Sequence, residues 1–402
     1  MSPTPRIEAI AAEIGTPFYA YDLDLFKARI RSFEASLRDV PHLTCYAVKA
    51  NDALAVLRVV AGEGLGADIV SGGELDKAIR AGVDASRIVF SGVGKRRDEI
   101  SAALDAGIRS LNVESLDELA EIADEAARRR ITARVLVRLN PDVAAGTHAY
   151  LTTGTAASKF GLPAAEALEA LRRAASDQHL QPVGLSFHVG SQILDTGPFV
   201  AAAERAADAW RAARAEGIAL RDLDVGGGLG IAYDGGANPK VTRYLEAMAD
   251  IAGSLGATLI LEPGRHLVGP IGMFVTRVLH VKRLGDRAIA VCDGGINDLL
   301  RPLLYGAEHP IEVWSRADDD VGLVDVVGPL CESGDYLALG RRLPVPTVGD
   351  LIVVGLAGAY GRVMSSSYNA RPLCAEVLLE GDGWRIGRER GTYDDLVRRE
   401  RP

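Results

Sequence analysis

The sequence predicts an α/β plus β architecture: a (β/α)8 TIM-like barrel followed by a mostly antiparallel C-terminal β-domain. Three observations carry this. Eight β-like runs recur between residues 44 and 261, and stretches of helical periodicity fill most of the gaps between them. After Arg265 the alternation gives way to β-branched runs split by Gly, Pro and Asp turns. The expected boundaries are a barrel over 24–265 and a β-domain made of 1–23 and 266–402. A doubly wound sheet would need fewer strands.

A helix-like start leads to Phe18–Tyr21, an aromatic-rich strand preceded by Thr16-Pro17. The barrel has no place for this strand, so it is assigned to the β-domain. A helix with Leu23, Phe26, Ile30 and Phe33 as its apolar positions follows. Barrel strands are read at Thr44–Val48, Ala67–Val70, Arg87–Phe90, Ser110–Val113, Arg134–Leu139, Val183–Phe187, Asp222–Val225 and Thr258–Leu261. Amphipathic helices such as Leu116–Arg129 and Pro198–Ala215 separate them. The β-domain strands are read at Val275–Val281, Arg287–Cys292, Ile311–Trp314, Val321–Val327, Asp350–Val354 and Ala375–Leu379.

With 402 residues, 48% of them hydrophobic, the chain can bury a large core. A net charge of -9 argues against wholesale binding to nucleic acid or an anionic membrane. Met1–Gly15 carries acidic residues and no continuous apolar stretch, so neither a signal peptide nor a membrane span is expected and the protein is read as cytoplasmic. Cys45, Cys292, Cys331 and Cys374 lie too far apart for a zinc or redox motif. Three of them are expected to be buried, Cys331 sits in a more polar stretch, and no metal is expected.

The chemistry starts from Tyr46-Ala47-Val48-Lys49-Ala50-Asn51. On a strand, Tyr46 and Val48 face one way and Ala47 and Lys49 the other, which would carry the ammonium into the barrel at the strand's carboxyl end. A lone lysine more often snorkels into water, so the other strand ends must decide. They bring Asp68–Ser71, His188-Val189-Gly190-Ser191-Gln192, Gly226-Gly227-Gly228-Leu229-Gly230 and Glu262-Pro263-Gly264-Arg265 to the same mouth.

The glycine cluster is either a tight turn or a cradle whose N–H groups approach a phosphate with no Cβ in the way. Its place after the seventh strand favours the cradle, with Arg265 as a cation beside it. Ile231 and the lack of Gly-Lys-Ser/Thr argue against dinucleotide and P-loop motifs. His188 is either a satisfied barrel histidine or a ring that stacks on a flat cofactor. Glu262 is costly to bury alone and needs a proton-bearing partner, such as a protonated ring nitrogen. Lysine, phosphate cradle, imidazole and carboxylate together describe a pocket for pyridoxal 5'-phosphate, the setting in which a Schiff-base lysine makes sense.

In the β-domain, Asp293-Gly294-Gly295-Ile296-Asn297-Asp298 leads to Arg301 and Tyr305. Gly328–Asp335 contains Cys331 and Glu332, and Gly358-Ala359-Tyr360-Gly361 follows. Singly these are solvated turns. Together they set reactive side chains in glycine-dense loops, where function more often resides.

Tyr46–Asn51, Ser71-Gly72-Gly73-Glu74-Leu75, Asn140-Pro141-Asp142, Gly146-Thr147-His148, Lys159-Phe160-Gly161, His188–Gln192, Gly226–Gly230, Glu262–Arg265, Asn297–Tyr305, Cys331–Asp335 and Gly358–Gly361 occur in one order. In these stretches, along nearly its whole length, the sequence resembles the diaminopimelate decarboxylases of the alanine racemase-like (type III) pyridoxal phosphate enzymes. Departures are small: Ala149 stands where proline is common, and Asp293-Gly294-Gly295-Ile296 varies a commoner Asp-Ala-Gly-Met.

The resemblance implies a homodimer whose active sites combine both subunits. It implies that Lys49 carries the cofactor covalently with Asp68 nearby, that His188 stacks on the ring and that Glu262 pairs with the ring nitrogen. Ser191, Gly227, Gly228, Gly264 and Arg265 would hold the phosphate or lie beside it. Arg265, Arg301, Tyr305, Glu332 and Tyr360 would contact substrate, Tyr360 also touching the cofactor. Cys331, the acid that protonates carbon, would come with Glu332 from the partner subunit.

The implied reaction is decarboxylation of meso-2,6-diaminopimelate at its D centre to L-lysine and carbon dioxide, a step of lysine biosynthesis. Arg301 as a bidentate clamp and Glu332 as an anionic partner suit a distal carboxylate and ammonium, hence an amino-diacid. The alternatives are a same-fold decarboxylase of ornithine, arginine or a carrier-tethered glutamyl group, a racemase, and a non-catalytic pyridoxal phosphate-binding protein.

Overall fold

The computed structural model describes residues 4–144, 154, 158–314 and 320–401. The Gly146-Thr147-His148 stretch and Ala149 lie outside the described residues. After a helix over Thr4–Ile14 come β1 (Phe18–Asp22) and a helix over Leu23–Ala35. The barrel follows as β2 (His42–Ala47), β3 (Gly66–Ile69), β4 (Ile88–Phe90), β5 (Ser110–Val113), β6 (Ala133–Arg138), β7 (Leu180–Ser186), β8 (Asp222–Asp224) and β9 (Thr258–Leu261). These eight strands are parallel and close on themselves, β9 pairing with β2 through His42↔Leu259 to Thr44↔Leu261.

Strands covered on both faces are buried along their length, as β3, β4 and β5 are at every position; β4 is wholly apolar, while β3 and β5 carry the buried polar residues Asp68, Ser110 and Asn112. Leu43, Cys45, Val89 and Ile260, from three of the barrel strands, form one buried hydrophobic cluster. At the amino end of β8 the buried Asp222 is paired with Arg109 at 2.9 Å and Arg221 at 2.8 Å. The helices carry ordinary stop and start signals. Ser71 Oγ accepts from Glu74 N–H to open Gly72–Ala81, and Gly82, at φ 95°, closes it. Ser115 does the same for Leu116–Arg129 by accepting from Glu118 N–H.

One expectation fails locally. β2 ends at Ala47, its last pair with β3 being Ala47↔Asp68, and Val48–Ala50 forms a 3-10 turn. Asn51 N–H donates to Val48 O and Tyr46 Oη donates to Asn51 O, both at 3.1 Å. These bonds favour a turn over strand continuation, so Lys49 projects from a turn and not from a strand face.

The C-terminal strands are β10 (Gly272–Leu284), β11 (Arg287–Cys292), β12 (Ile311–Val313), β13 (Val321–Val327), β14 (Tyr336–Pro344), β15 (Leu351–Val354), β16 (Ala375–Glu380) and β17 (Gly383–Arg388). With β1 they form a sheet ordered β14-β13-β11-β10-β1-β16-β17, with β15 pairing β10 and β12. The sheet is antiparallel except where β1 runs parallel to β16 and β11 to β13. β14 and β17 are absent from the sequence reading because Gly340, Arg341 and Arg342 break the apolar run of one, and the other is largely exposed. Ile7, Ile10, Phe18, Val275, Val353 and Val377 belong to one core cluster under this sheet.

By compactness the chain divides into a barrel unit, 27–231 with 237–267, and a second unit, 1–26 with 232–236 and 268–402. Among the described residues no helix is long and apolar enough to cross a membrane.

Candidate active site

At the carboxyl ends of the barrel strands, Lys49, Ser91, Asn112, Arg138, Phe160, Ser186, His188 and Glu262 are among the residues lining a cavity of about 180 Å3. Lys49 Nζ lies 2.6 Å from Oδ2 of Asp68, a fully buried carboxylate at the end of β3. A charged hydrogen bond to a group that cannot move fixes where the amine sits.

His188 follows β7. Gly227 N–H donates to its Nδ1 at 3.2 Å, so that nitrogen holds the lone pair and the proton of the neutral ring is on Nε2. Burial, then the charges of Arg138 and Lys49, push its pKa well below the ordinary imidazole value. The ring is thus a neutral flat face.

The glycine loop is stitched to its neighbours through backbone. Glu262 N–H donates to Gly226 O at 2.9 Å, and Ile193 N–H to Gly228 O at 3.0 Å. A Cβ on Gly227 would stand 2.1 Å from Glu262 O, and one on Gly228 would stand 2.2 Å from Gly190 O at a φ of 107°. Only glycine fits here. Arg265 Nη2 donates to Ser191 Oγ at 3.2 Å, so these two residues stand together as read from the sequence. Gly264 has a packing reason of its own: its Cβ would meet Ala50 and Ala47 at 2.9 and 3.0 Å.

Glu262 is buried and hydrogen-bonds Asp224, while Ser91 Oγ donates to its Oε1 at 3.3 Å. Burial, then Asp224 and Asp68, hold the Glu262 carboxyl well above the usual range, with Lys49 opposing. Asp224 is raised as well, chiefly by burial. Two buried carboxyls in contact share a proton.

Five cavity or near-cavity residues carry no local signal in the sequence: Ser91, Asn112, Arg138, Ser186 and Asp224. Each lies within, at the end of, or just after a barrel strand, so strand position was the usable signal. Arg138 Nη1 bonds Glu114 Oε1 at 2.5 Å, and its guanidinium stacks 4.8 Å over Phe160.

The remaining candidates belong to the second unit. Asp335 organises two loops there, accepting Ile296 N–H on Oδ1 at 2.8 Å and Leu330 N–H on Oδ2 at 2.6 Å. Cys331 and Glu332, between those anchors, are exposed. Arg301 is buried at the start of the Arg301–Tyr305 helix, which ends on the half-buried Tyr305. Tyr360, at φ 55°, precedes Gly361, whose Cβ would stand 2.8 Å from Tyr19 Oη. Tyr19 Oη in turn donates to Asp298 O at 2.8 Å, so β1 bears on two of the glycine-dense loops.

The barrel residues fit pyridoxal phosphate. They combine an amine held by a carboxylate, a neutral imidazole, a carboxyl kept protonated by burial and a glycine cradle. Asp68 Oδ1, Asn112 Oδ1 and Ser186 Oγ are buried polar atoms with no hydrogen-bond partner among the described residues, as a polar aromatic guest would require. Fold and site together define a barrel-type pyridoxal-dependent decarboxylase, and residues 23–269 match the pyridoxal-binding domain of that family.

The diaminopimelate decarboxylase of Neisseria meningitidis serogroup A is 43% identical over 398 residues, 99% of this chain and 97% of that protein. The Pseudomonas fluorescens enzyme of the same name is 42% identical over 391 residues, 97% of this chain and 94% of that one. The Helicobacter pylori diaminopimelate decarboxylase, solved with L-lysine, superposes with a TM-score of 0.94 at 40% identity, covering 98% of both chains. The M. jannaschii enzyme gives 0.93 at 34% identity, covering 98% of this chain and 94% of its own. This chain belongs to the diaminopimelate decarboxylase family.

Proposed function

We propose that the protein decarboxylates meso-2,6-diaminopimelate at its D centre, giving L-lysine and carbon dioxide for lysine biosynthesis. The observation that carries this is the barrel mouth itself: Lys49 on Asp68, neutral His188 and protonated Glu262 beside a cradle that excludes side chains. The full-length similarity to enzymes of that name supports the substrate.

Lys49 would hold the cofactor's aldehyde carbon, His188 one face of its ring and Glu262 its ring nitrogen. The Gly226–Gly230 loop, Ser191 and Arg265 would hold its phosphate, with Gly264 shaping the turn beside Lys49. When bound, pyridoxal phosphate supplies an electron sink for the pair left by the departing carboxylate. Asp68 keeps the Lys49 amine in place and can take up its proton. Glu262, with Asp224 behind it, keeps a proton at the ring-nitrogen end. Cys331 Sγ delivers the proton that replaces carbon dioxide.

Arg301, with Arg265, Tyr305 and Tyr360, binds the distal carboxylate and backbone of the substrate, and Glu332 binds its ammonium. The working form is a cytoplasmic homodimer in which Cys331 and Glu332 serve the neighbouring subunit, a reading supported by their exposure in the single chain. Purified protein given meso-2,6-diaminopimelate and cofactor is expected to release lysine and carbon dioxide in equal amounts. No turnover of that substrate, with good turnover of ornithine or arginine, rejects the assignment.

A further inference from the structure

Arg301 and His309 are 3% and 2% exposed, and they are joined directly: Arg301 Nη1 lies 2.8 Å from His309 Nε2. His309 Nδ1 lies 2.9 Å from Gly355 O. A carbonyl only accepts and a guanidinium only donates, so the two bonds together dictate the ring's state. Nδ1 carries the proton, Nε2 offers its lone pair, and the imidazole is neutral.

Local structure brings the pair together. Gly306, at φ 59°, ends the Arg301–Tyr305 helix with its N–H on Arg301 O, and the chain turns back so that His309 meets Arg301. The end of β15 then locks the histidine, because Gly355 N–H donates to Pro310 O at 2.8 Å while its carbonyl accepts from His309. Tyr233 completes the arrangement. Its ring lies under the guanidinium, 4.5 Å from Arg301 Cζ, and stands at 67° to the His309 ring with centroids 4.9 Å apart.

We propose that His309, aided by Tyr233, is a positioning residue that sets the plane of Arg301 for the distal carboxylate of the substrate. This rests on the assignment of Arg301 as the substrate clamp made above. A guanidinium binds a carboxylate through two parallel N–H bonds only when its plane matches that of the carboxylate. His309 fixes one edge of that plane and Tyr233 fixes one face. A lysine or a loosely held arginine would give charge without this direction.

The test uses the holoenzyme with meso-2,6-diaminopimelate as substrate, and L-lysine and cadaverine as inhibitors, the latter lacking the carboxylate. H309N keeps an amide near Gly355 O but withdraws from Arg301, whereas H309Q keeps an acceptor at the reach of Nε2. H309N is expected to raise KM and the L-lysine inhibition constant about tenfold, with kcat within about twofold of wild type. H309Q returns both constants to within about threefold of wild type, Y233L falls between, and the cadaverine constant stays unchanged in all three.

R301Q is measured alongside and is expected to raise KM at least as far as H309N. Should R301Q leave KM and lysine inhibition unchanged, Arg301 is not the clamp and both assignments fall. Should R301Q impair binding while H309N does not, only the role of His309 is overturned. A fall in kcat or a loss of bound cofactor in H309N, with KM unmoved, also overturns it, because that marks a merely structural residue.

Discussion

Asp224 and Glu262 hydrogen-bond to each other at the barrel mouth, and Asn112 and Ser91 close a ring around them. Asn112 Nδ2 donates to Asp224 Oδ2 at 3.1 Å and to Ser91 Oγ at 3.0 Å, and Ser91 Oγ donates to Glu262. Asp224 Oδ1 meanwhile accepts Gly226 N–H at 3.0 Å. One buried side chain therefore ties the Glu262 carboxyl to the first residue of the glycine loop, the two features assigned to opposite ends of the cofactor.

This pair has a pH signature. Both carboxyls are raised, Asp224 to about 6 and Glu262 well above the usual carboxylate range, so the folded state holds protons that the unfolded chain releases from about pH 4 upward. The stability they contribute is present at acid pH and is lost as pH rises, the Asp224 share through about 6. His266, lowered to about 4, acts in the opposite sense and is common to any comparison. Melting the cofactor-free protein at pH 5 and pH 7.5 should show a fall in Tm that is smaller in D224N than in wild type by about 2 °C. Identical falls in the two proteins would mean that the pair does not share a proton.

Lys49 and Asp68 make a second prediction. If the amine carries the aldehyde, borohydride treatment of the loaded protein should leave the cofactor on the peptide containing residue 49. K49A should show no such label and a kcat lower by about a thousandfold. D68N leaves the amine without its buried counter-ion and should cost about tenfold in kcat while the label persists. Full turnover by K49A would remove lysine from the mechanism.

Gly228 tests the cradle. An alanine there combines a positive φ with a contact of 2.2 Å to Gly190 O, and relief requires the loop to move. G228A should bind pyridoxal phosphate about tenfold to a hundredfold more weakly in an absorbance titration. Pyridoxal, which has no phosphate, should bind wild type and variant alike. Unchanged phosphate-ester binding would reduce the cluster to a turn.

The barrel was legible because parallel strands buried on both faces leave a short apolar run, and because the intervening helices repeat at their own period. Thr258–Leu261 and Leu116–Arg129 are placed to the residue on that basis. Lys49 shows where such reading stops. Nothing in Ala47-Val48-Lys49 marks the change from strand to turn, which depends on Tyr46 and Asn51 bonding across it. Asp224 and His309 leave no mark in the sequence for a related reason. Their roles come from partners far off in sequence, Glu262 and Gly355, and no local spacing records those contacts. β14 was lost because its charges and Gly340 outweigh an apolar pattern too short to assert itself.

Cys331 gives the last test. Its thiol is exposed in the single chain although the chemistry assigned to it needs a sheltered site, which a neighbouring subunit would supply in the proposed dimer. C331A alone should lower kcat by about a hundredfold, leave cofactor binding intact and change the fate of the carbon from which carbon dioxide departs. If the site is shared, K49A and C331A are each nearly inactive, but a mixed dimer holds one site with both residues intact. After random exchange of equal amounts about half the dimers are mixed and one site in two is sound in each, so about a quarter of wild-type activity should return. Mixing that restores nothing, in samples shown to have exchanged subunits, would place Cys331 and Lys49 in the service of the same chain or of no common site.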